Sequence, residues 1–203
     1  MKTLLYRASV IAFAGALAIG CAAAPRGGSY GSGDPSLGAP NPGGGAVDPF
    51  LVDGQAVLHA LDAIADRSGR PLRITSIQAD RGNGLTVDVQ EPKNHVDVDR
   101  YVVAVDGTLS GPEPVKLMSL DGGPITAASV DRQAFDPAKI DFARLTQTAK
   151  DAIAKSHFDD ARVSEWEIDG VTPDDKRYIY LEASRGRPVA IVKPDLTIAD
   201  MRY

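Results

Sequence analysis

The chain has 203 residues, with 22 Lys and Arg against 27 Asp and Glu, a net charge of −5 and one cysteine. An acidic chain lacks the basic footprint that phosphate contacts need, which excludes nucleic acid as a partner. A lone cysteine excludes an internal disulfide framework, so stability has to come from packing.

In chain order, Lys2 and Arg7 lead into the uncharged run ASVIAFAGALAIG at 8–20. Roughly a dozen apolar or small residues fall short of the ~20 that a membrane-spanning helix needs. A basic start, a short apolar core and small residues after it predict an export signal over 1–20. Two cleavage chemistries compete at its end. An ordinary signal peptidase would use the small residues of CAAA. The other is suggested by Ala18-Ile19-Gly20-Cys21, with Leu17 just upstream. This run resembles the lipobox of bacterial lipoproteins, although the usual Leu three positions before the cysteine is Ala18 here. The resemblance implies cleavage between Gly20 and Cys21, with diacylglycerol on the Cys21 sulfur. It also implies a cell-membrane or outer-membrane location, the outer membrane being the pattern that Ala22 resembles in diderm bacteria. The thiol favours lipidation, because a free thiol in an oxidising compartment invites oxidation or mispairing and a thioether removes it.

Residues 21–47 are mostly Gly, Pro, Ser and Ala without hydrophobic periodicity. Such a segment cannot offset backbone entropy by apolar burial and reads as a flexible linker. Its end-to-end distance is about 25–30 Å. Without the first 20 residues, 20 basic and 27 acidic residues remain, a net charge near −7. Adsorption to anionic lipid is disfavoured, so membrane attachment would rest on acyl chains, of which two suffice.

The folded part, 48–203, repeats itself. DAIA occurs at 62–65 and at 151–154, an offset of 89, and the same offset relates Asp106, Thr108 and Leu109 to Asp195, Thr197 and Ile198. It also pairs Ile77 with Trp166, Val102 with Ile191 and Val103 with Val192. In the first copy (48–115), Val57, Leu58, Leu61, Ile64 and Ala65 form a helical stripe, stopped by Gly69 and Pro71. Strands follow at LRITSIQA, LTVDVQ and RYVVAV, the first two joined by a turn at RGNG. In the second copy (140–203), Phe142, Leu145, Ala149, Ala152 and Ile153 make the stripe, with Asp141 as its cap. Its strands are VSEWEI, RYIYLEA and RPVAIVK. The connection, 116–139, carries a short strand at 125–130. The expected fold is α+β: two tandem α-β-β-β repeats, each a helix on its own antiparallel sheet. The second repeat, richer in large apolar and aromatic residues, is expected to be the more autonomous.

The Ala-rich helices and the YVVAVDGT strand and turn, with their second copies, resemble tandem PepSY-type or beta-lactamase-inhibitor-like modules of exported proteins. The resemblance is architectural. It implies a binding or inhibitory role and assigns no residue.

Enzyme parts are missing from the pattern: with Cys21 spent on lipid there is no thiol nucleophile, and G-x-S-x-G, H-E-x-x-H and phosphate-loop motifs are absent. His59 reads as a partly buried structural residue, His95 beside Asp97 and Asp99 as a solvated turn, and His157 as a helix C-terminal residue. No catalytic residue, metal site or cofactor is assigned. Alternation in RYIYLEA and VSEWEI sends Trp166, Ile168, Ile179 and Leu181 under the helix, and Tyr178, Tyr180, Glu165 and Glu167 to the open face. Two tyrosines beside carboxylates suit a contact patch with another protein; the same rings could instead pack against the other repeat. Thr86, Asp88 and Gln90 occupy the comparable outward positions of the first copy. The expectation is a lipid-anchored envelope protein acting as a non-catalytic binding or accessory module for a protein or cell-wall partner. A structural spacer is the alternative, and a hydrolase with a carboxylate pair is a more remote one.

Overall fold

A computed structural model of the protein describes residues 5–6, 48–119, 123–170 and 177–203. Gly20, Cys21 and the linker lie outside the described residues. Leu5–Tyr6 pair with Met118–Ser119 as a two-residue antiparallel ladder.

The folded part opens with a 3-10 turn, Pro49–Leu51, capped by Asp48, whose carboxylate accepts from the Phe50 amide at 3.0 Å. Helix α1 (Gly54–Ser68) follows, with Asp53 as its cap. Its stripe of Val57, Leu61, Ile64 and Ala65 is buried, and Gly69 ends it in a positive-φ conformation (101°) that favours glycine. Strands β1 (Ile74–Asp80), β2 (Gly84–Gln90), β3 (Val98–Val103) and β4 (Leu109–Pro114) then run as an antiparallel meander. After the connecting segment, which includes the short helix α2 (Ala127–Asp131), comes α3 (Leu145–Lys155). A second meander follows: β5 (Arg162–Asp169), β6 (Arg177–Glu182), β7 (Val189–Val192) and β8 (Ile198–Arg202).

The two meanders are one sheet. Its order is β8-β7-β6-β5-β1-β2-β3-β4, so the first strands of the two halves pair with each other at the centre. Ile77 faces Ile168 and Ala79 faces Trp166 across this seam. Gln78 faces Glu167, a residue 89 positions later in the chain, so the strands meet about a local two-fold. The register irregularities between Ile74 and Ser76 and between Val163 and Glu165 share that spacing. Ile77 and Ile168 being neighbours on one face, α1 and α3 cover the same side of the sheet. A single core joins Leu61, Ile64, Ile77 and Val87 to Leu145, Ala149, Trp166 and Ile179. The α+β class holds, whereas a separate sheet for each half does not.

Gly54 shows how closely the halves approach. A Cβ there would collide with the carbonyl of Phe142, in the turn that leads into α3. Trp166 ties the halves together a second time: its indole N–H donates to the Phe50 carbonyl at 2.7 Å, and its ring tilts against Phe142 at 6.1 Å.

Among the described residues each half contributes four strands to this sheet, not three. The fourth, β4 and β8, are the sheet edges, where one side of the ladder is unpaired and hydrophobic alternation is not required. β4 reads LSGPEP, with two prolines of the kind that edges tolerate. The strand expected at 125–130 does not form, and Ala127–Asp131 is helical instead. Thr126 and Ser129 form a capping box that starts α2, and this local hydrogen bonding outweighs the β-propensity of Ile125 and Val130. Asp141 makes no side-chain cap, because α3 is entered through the 3-10 turn Phe142–Arg144.

Asp88 and Gln90 are not outward-facing solvated groups: they are 1 % and 2 % exposed. Arg100 reaches Asp88 with two bonds, at 2.8 and 3.1 Å. The Gln90 amide donates to Asp131 of α2 at 2.8 Å and to the His95 carbonyl at 3.0 Å. The connecting segment closes over this end of the sheet. Phe135 bridges to Ile74, and Arg73 donates to the Asp131 and Ala134 carbonyls at 3.1 and 2.8 Å.

Candidate functional site: an aromatic and acidic sheet face

On the second half, the face away from the helices carries Tyr178, Tyr180, Glu165 and Glu167, all half-buried. Strands β5 and β6 bring the four together because alternate residues share a face. Register places Glu165 opposite Tyr180 and Glu167 opposite Tyr178. Their partners across the sheet, Trp166, Ile168, Ile179 and Leu181, are 1–5 % exposed. The tyrosine rings lie 6.0 Å apart and tilted by 34°. The Tyr180 hydroxyl donates to Glu167 Oε1 at 2.9 Å, and the Gln78 amide donates to Glu165 Oε1 at 2.6 Å.

Sequence reasoning missed the neighbours on either side. Gln78 and Asp80 come from β1, across the seam, with Asp80 opposite Glu165. Val189 and Ile191 of β7 stand opposite Tyr180 and Tyr178 and are half-buried. The alternation in RPVAIVK contained the signal for the last two. Nothing local in LRITSIQA reveals that its strand lies beside β5.

The electrostatics of the face are one-sided. Burial raises the Glu165 pKa, and the charges of Glu167 and Asp80 push it further, against the opposing hydrogen bond from Gln78. Burial likewise raises the Tyr180 phenol, with further contributions from Glu167, the hydrogen bond to it, Glu165 and Tyr178. The nearby guanidiniums are engaged elsewhere: Arg81 and Arg162 both pair with Glu182, at 3.3 and 3.2 Å. A carboxyl whose pKa is higher in the folded than in the unfolded chain weakens folding above the folded value, and this cost disappears as pH falls to the unfolded value. Glu165→Gln should therefore raise the melting temperature at pH 7 by about 1–3 °C. The difference should vanish below about pH 4, where both states carry a protonated carboxyl. Thermal melts at the two pH values check this, and an equal gain at both would assign the effect to packing.

The histidines are elsewhere. His59 is exposed on α1, not part of the core. His95 bonds to Asp131 at 2.9 Å, while Asp97 accepts from Asn94 at 2.7 Å within the β2–β3 loop. His157 follows the end of α3 with a φ of 61° and stacks on Tyr203 at 6.2 Å. Among the described residues no three His, Cys, Asp or Glu side chains converge as metal ligands. A groove of about 610 Å³ lies between α1 and the 3-10 turn Pro137–Lys139, lined by Leu58, Leu61, Leu72 and Pro137 with Asp62 and Arg70 at its rim. Among the described residues no helix is long and apolar enough to cross a membrane.

No known family profile matches the chain, and no curated protein matches it in sequence. Its fold is similar to the crystal structure of a putative lipoprotein from Clostridium difficile, at a TM-score of 0.53 and 15 % identity. The likeness covers 75 % of this chain and 93 % of that one. At this identity the shared property is the fold: a mixed α+β arrangement with helices on an antiparallel sheet.

Proposed function

We propose that this chain is a lipid-anchored protein of the bacterial envelope whose folded part is a non-catalytic binding module for a protein or cell-wall partner. The observation that carries the binding reading is the face formed by Tyr178, Tyr180, Glu165 and Glu167. It combines large aromatic area with polar ends, the composition that protein contacts favour. In the first half the inter-repeat segment closes over Gln90 and Arg100 covers Asp88, and no described element does the same over the tyrosines. The described part of the chain enters on the helix side, where the Trp166 indole donates to the Phe50 carbonyl. Anchoring is supported by the export-type run 8–20 before the solitary Cys21, and by the fold likeness to a protein itself described as a putative lipoprotein. The tandem reading, related to PepSY-type modules, is supported by the 89-residue spacing of Gln78 and Glu167 at the central seam. Each module then consists of a helix and four strands.

Cys21→Ala tests the anchor. The variant should appear in the soluble fraction or persist as an uncleaved precursor, and incorporation of labelled palmitate should be lost. A variant that stays membrane-bound at mature size, with no label in the wild type, would remove the lipoprotein reading. Cross-linking in the envelope tests the binding role: Tyr178→Ala with Tyr180→Ala should abolish a reproducible adduct without releasing the protein from the membrane. An adduct pattern unchanged by these substitutions favours a spacer.

A further inference from the structure

We infer that the Tyr178–Tyr180 face docks a basic polypeptide segment, with Arg or Lys side chains seated between the tyrosine rings and the carboxylates of Glu165 and Glu167. This rests on the binding reading above and adds the chemistry of the partner.

The argument starts from a contrast between the two halves of one sheet. Strand order and register put Thr86, Asp88, Arg100 and Val102 of the first half where the second half has Tyr178, Tyr180, Val189 and Ile191. In the first half the carboxylate has its own cation, since Arg100 holds Asp88 through two bonds. In the second half Val189 takes the place of the arginine, and Tyr180 that of the aspartate. The adjacent central strand carries Glu165 and Glu167 where its counterpart carries Ser76 and Gln78. At these positions the second half carries two carboxylates, Glu165 and Glu167, where the first carries Asp88 alone, gains two phenols, exchanges Arg100 for the aliphatic Val189, and sets no described cation against Glu165 or Glu167. The partners of the carboxylates are a tyrosine hydroxyl and an amide, both neutral. Asp80 opposite Glu165 adds like charge, an arrangement that destabilises a sheet when nothing offsets it.

A cationic side chain fits this deficit in two ways at once. Its charge offsets Glu165 and Glu167 in a half-buried setting, where screening is weaker than in open water. Its flat or alkyl portion lies on the tyrosine faces, a cation–π contact that aromatic pairs supply. Val189 and Ile191 extend the patch along β7 and give an apolar floor for the stem of a second long side chain. A second copy of this chain does not fit, because face-to-face pairing would set Glu165 and Glu167 against their own equivalents. Asp200 and Arg202, exposed on β8 beyond Ile191 and Val189, supply one charge of each sign at the rim and leave the balance negative.

The test uses the full-length lipidated protein in micelles of an uncharged detergent, titrated calorimetrically with hexa-arginine, hexa-lysine and uncharged hexa-asparagine peptides. The basic peptides should bind and the uncharged one should not. Glu165→Gln with Glu167→Gln should weaken binding about tenfold. Tyr178→Leu with Tyr180→Leu leaves net charge unchanged and should weaken it about threefold. Asp62→Asn with Asp66→Asn removes two carboxylates from α1 and should leave binding within about twofold, because exposed distant charges are screened. Thermal melts confirm that each variant is folded, and the glutamine pair is expected to be at least as stable as the wild type.

Equal weakening by the α1 pair, or indifference to the tyrosines, would reduce the binding to diffuse attraction by an acidic protein and overturn the inference. So would absence of peptide binding, tighter binding of spermidine than of the peptides, or self-association through this face. An envelope cross-link that depends on Tyr178 and Tyr180 but is not displaced by hexa-arginine overturns the basic-segment assignment and leaves the binding reading standing.

Discussion

Trp166→Ala should lower the melting temperature by about 10–15 °C, the largest loss expected from any single side chain in this fold. Trp166 is 2 % exposed and heads the fully buried side chains by volume. Truncating a large buried aromatic residue costs about 3–5 kcal/mol, through lost transfer energy and the cavity left behind. For a folded part of this size each kcal/mol moves the midpoint by about 2–4 °C. Two further losses add to the cavity. The Phe50 carbonyl loses its indole donor, and an unsatisfied buried acceptor costs about 1–3 kcal/mol. Phe142 loses its ring partner at the junction of the two halves. Trp166→Phe separates these contributions, since it keeps most of the volume and removes only the donor; it should cost less than half as much. Circular dichroism melts of the two variants provide the measurement. A drop of less than about 3 °C for the alanine variant would show that the core closes around the gap and that Trp166 does not lock the halves.

Separating the halves should abolish folding altogether. Fragments 48–119 and 123–203, prepared alone, are expected to show no cooperative melt, and mixing them should restore one. Each half alone would expose the inner edge of β1 or β5, which the intact chain pairs over five residue pairs. It would also open the shared core where Trp166 meets Phe50 and Gly54 meets Phe142. A unit of about 70 residues buries only about 60 % of its unfolded surface even when complete, and has little margin for such losses. The second half has an additional obstacle. Self-pairing through β5 about the same local two-fold would set Glu167 against Glu167, a like-charge contact across the strands. Greater autonomy of the second half, expected from its composition, therefore gives way to dependence on its neighbour. Cooperative unfolding of either fragment alone would show that the central seam is not needed for folding.

The pattern of burial along each strand was legible in the sequence because a strand's side chains alternate strictly. RYIYLEA alone separates Ile179 and Leu181 from Tyr178 and Tyr180, and VSEWEI separates Trp166 and Ile168 from Glu165 and Glu167. The helical stripes of α1 and α3 were legible for the same kind of reason, through a period near 3.6. The offset of 89 residues that recurs in the sequence equals the separation of the facing residues Gln78 and Glu167. Periodicity, however, tells which face a residue occupies and not which strand lies beside it. That β1 and β5 are neighbours, that Asp80 and Gln78 join the glutamates, and that two meanders share one core were decided only in the tertiary structure. Those pairings are made between segments nearly 90 residues apart, by surfaces that carry no local mark of their partners. The edge strands β4 and β8 escaped notice because an edge does not need alternation. The burial of Asp88 and Gln90 escaped notice because their cover, Arg100 and the α2 segment, comes from other elements. A buried carboxylate and a solvated one have the same letter in a sequence; only its neighbours in three dimensions determine which it is.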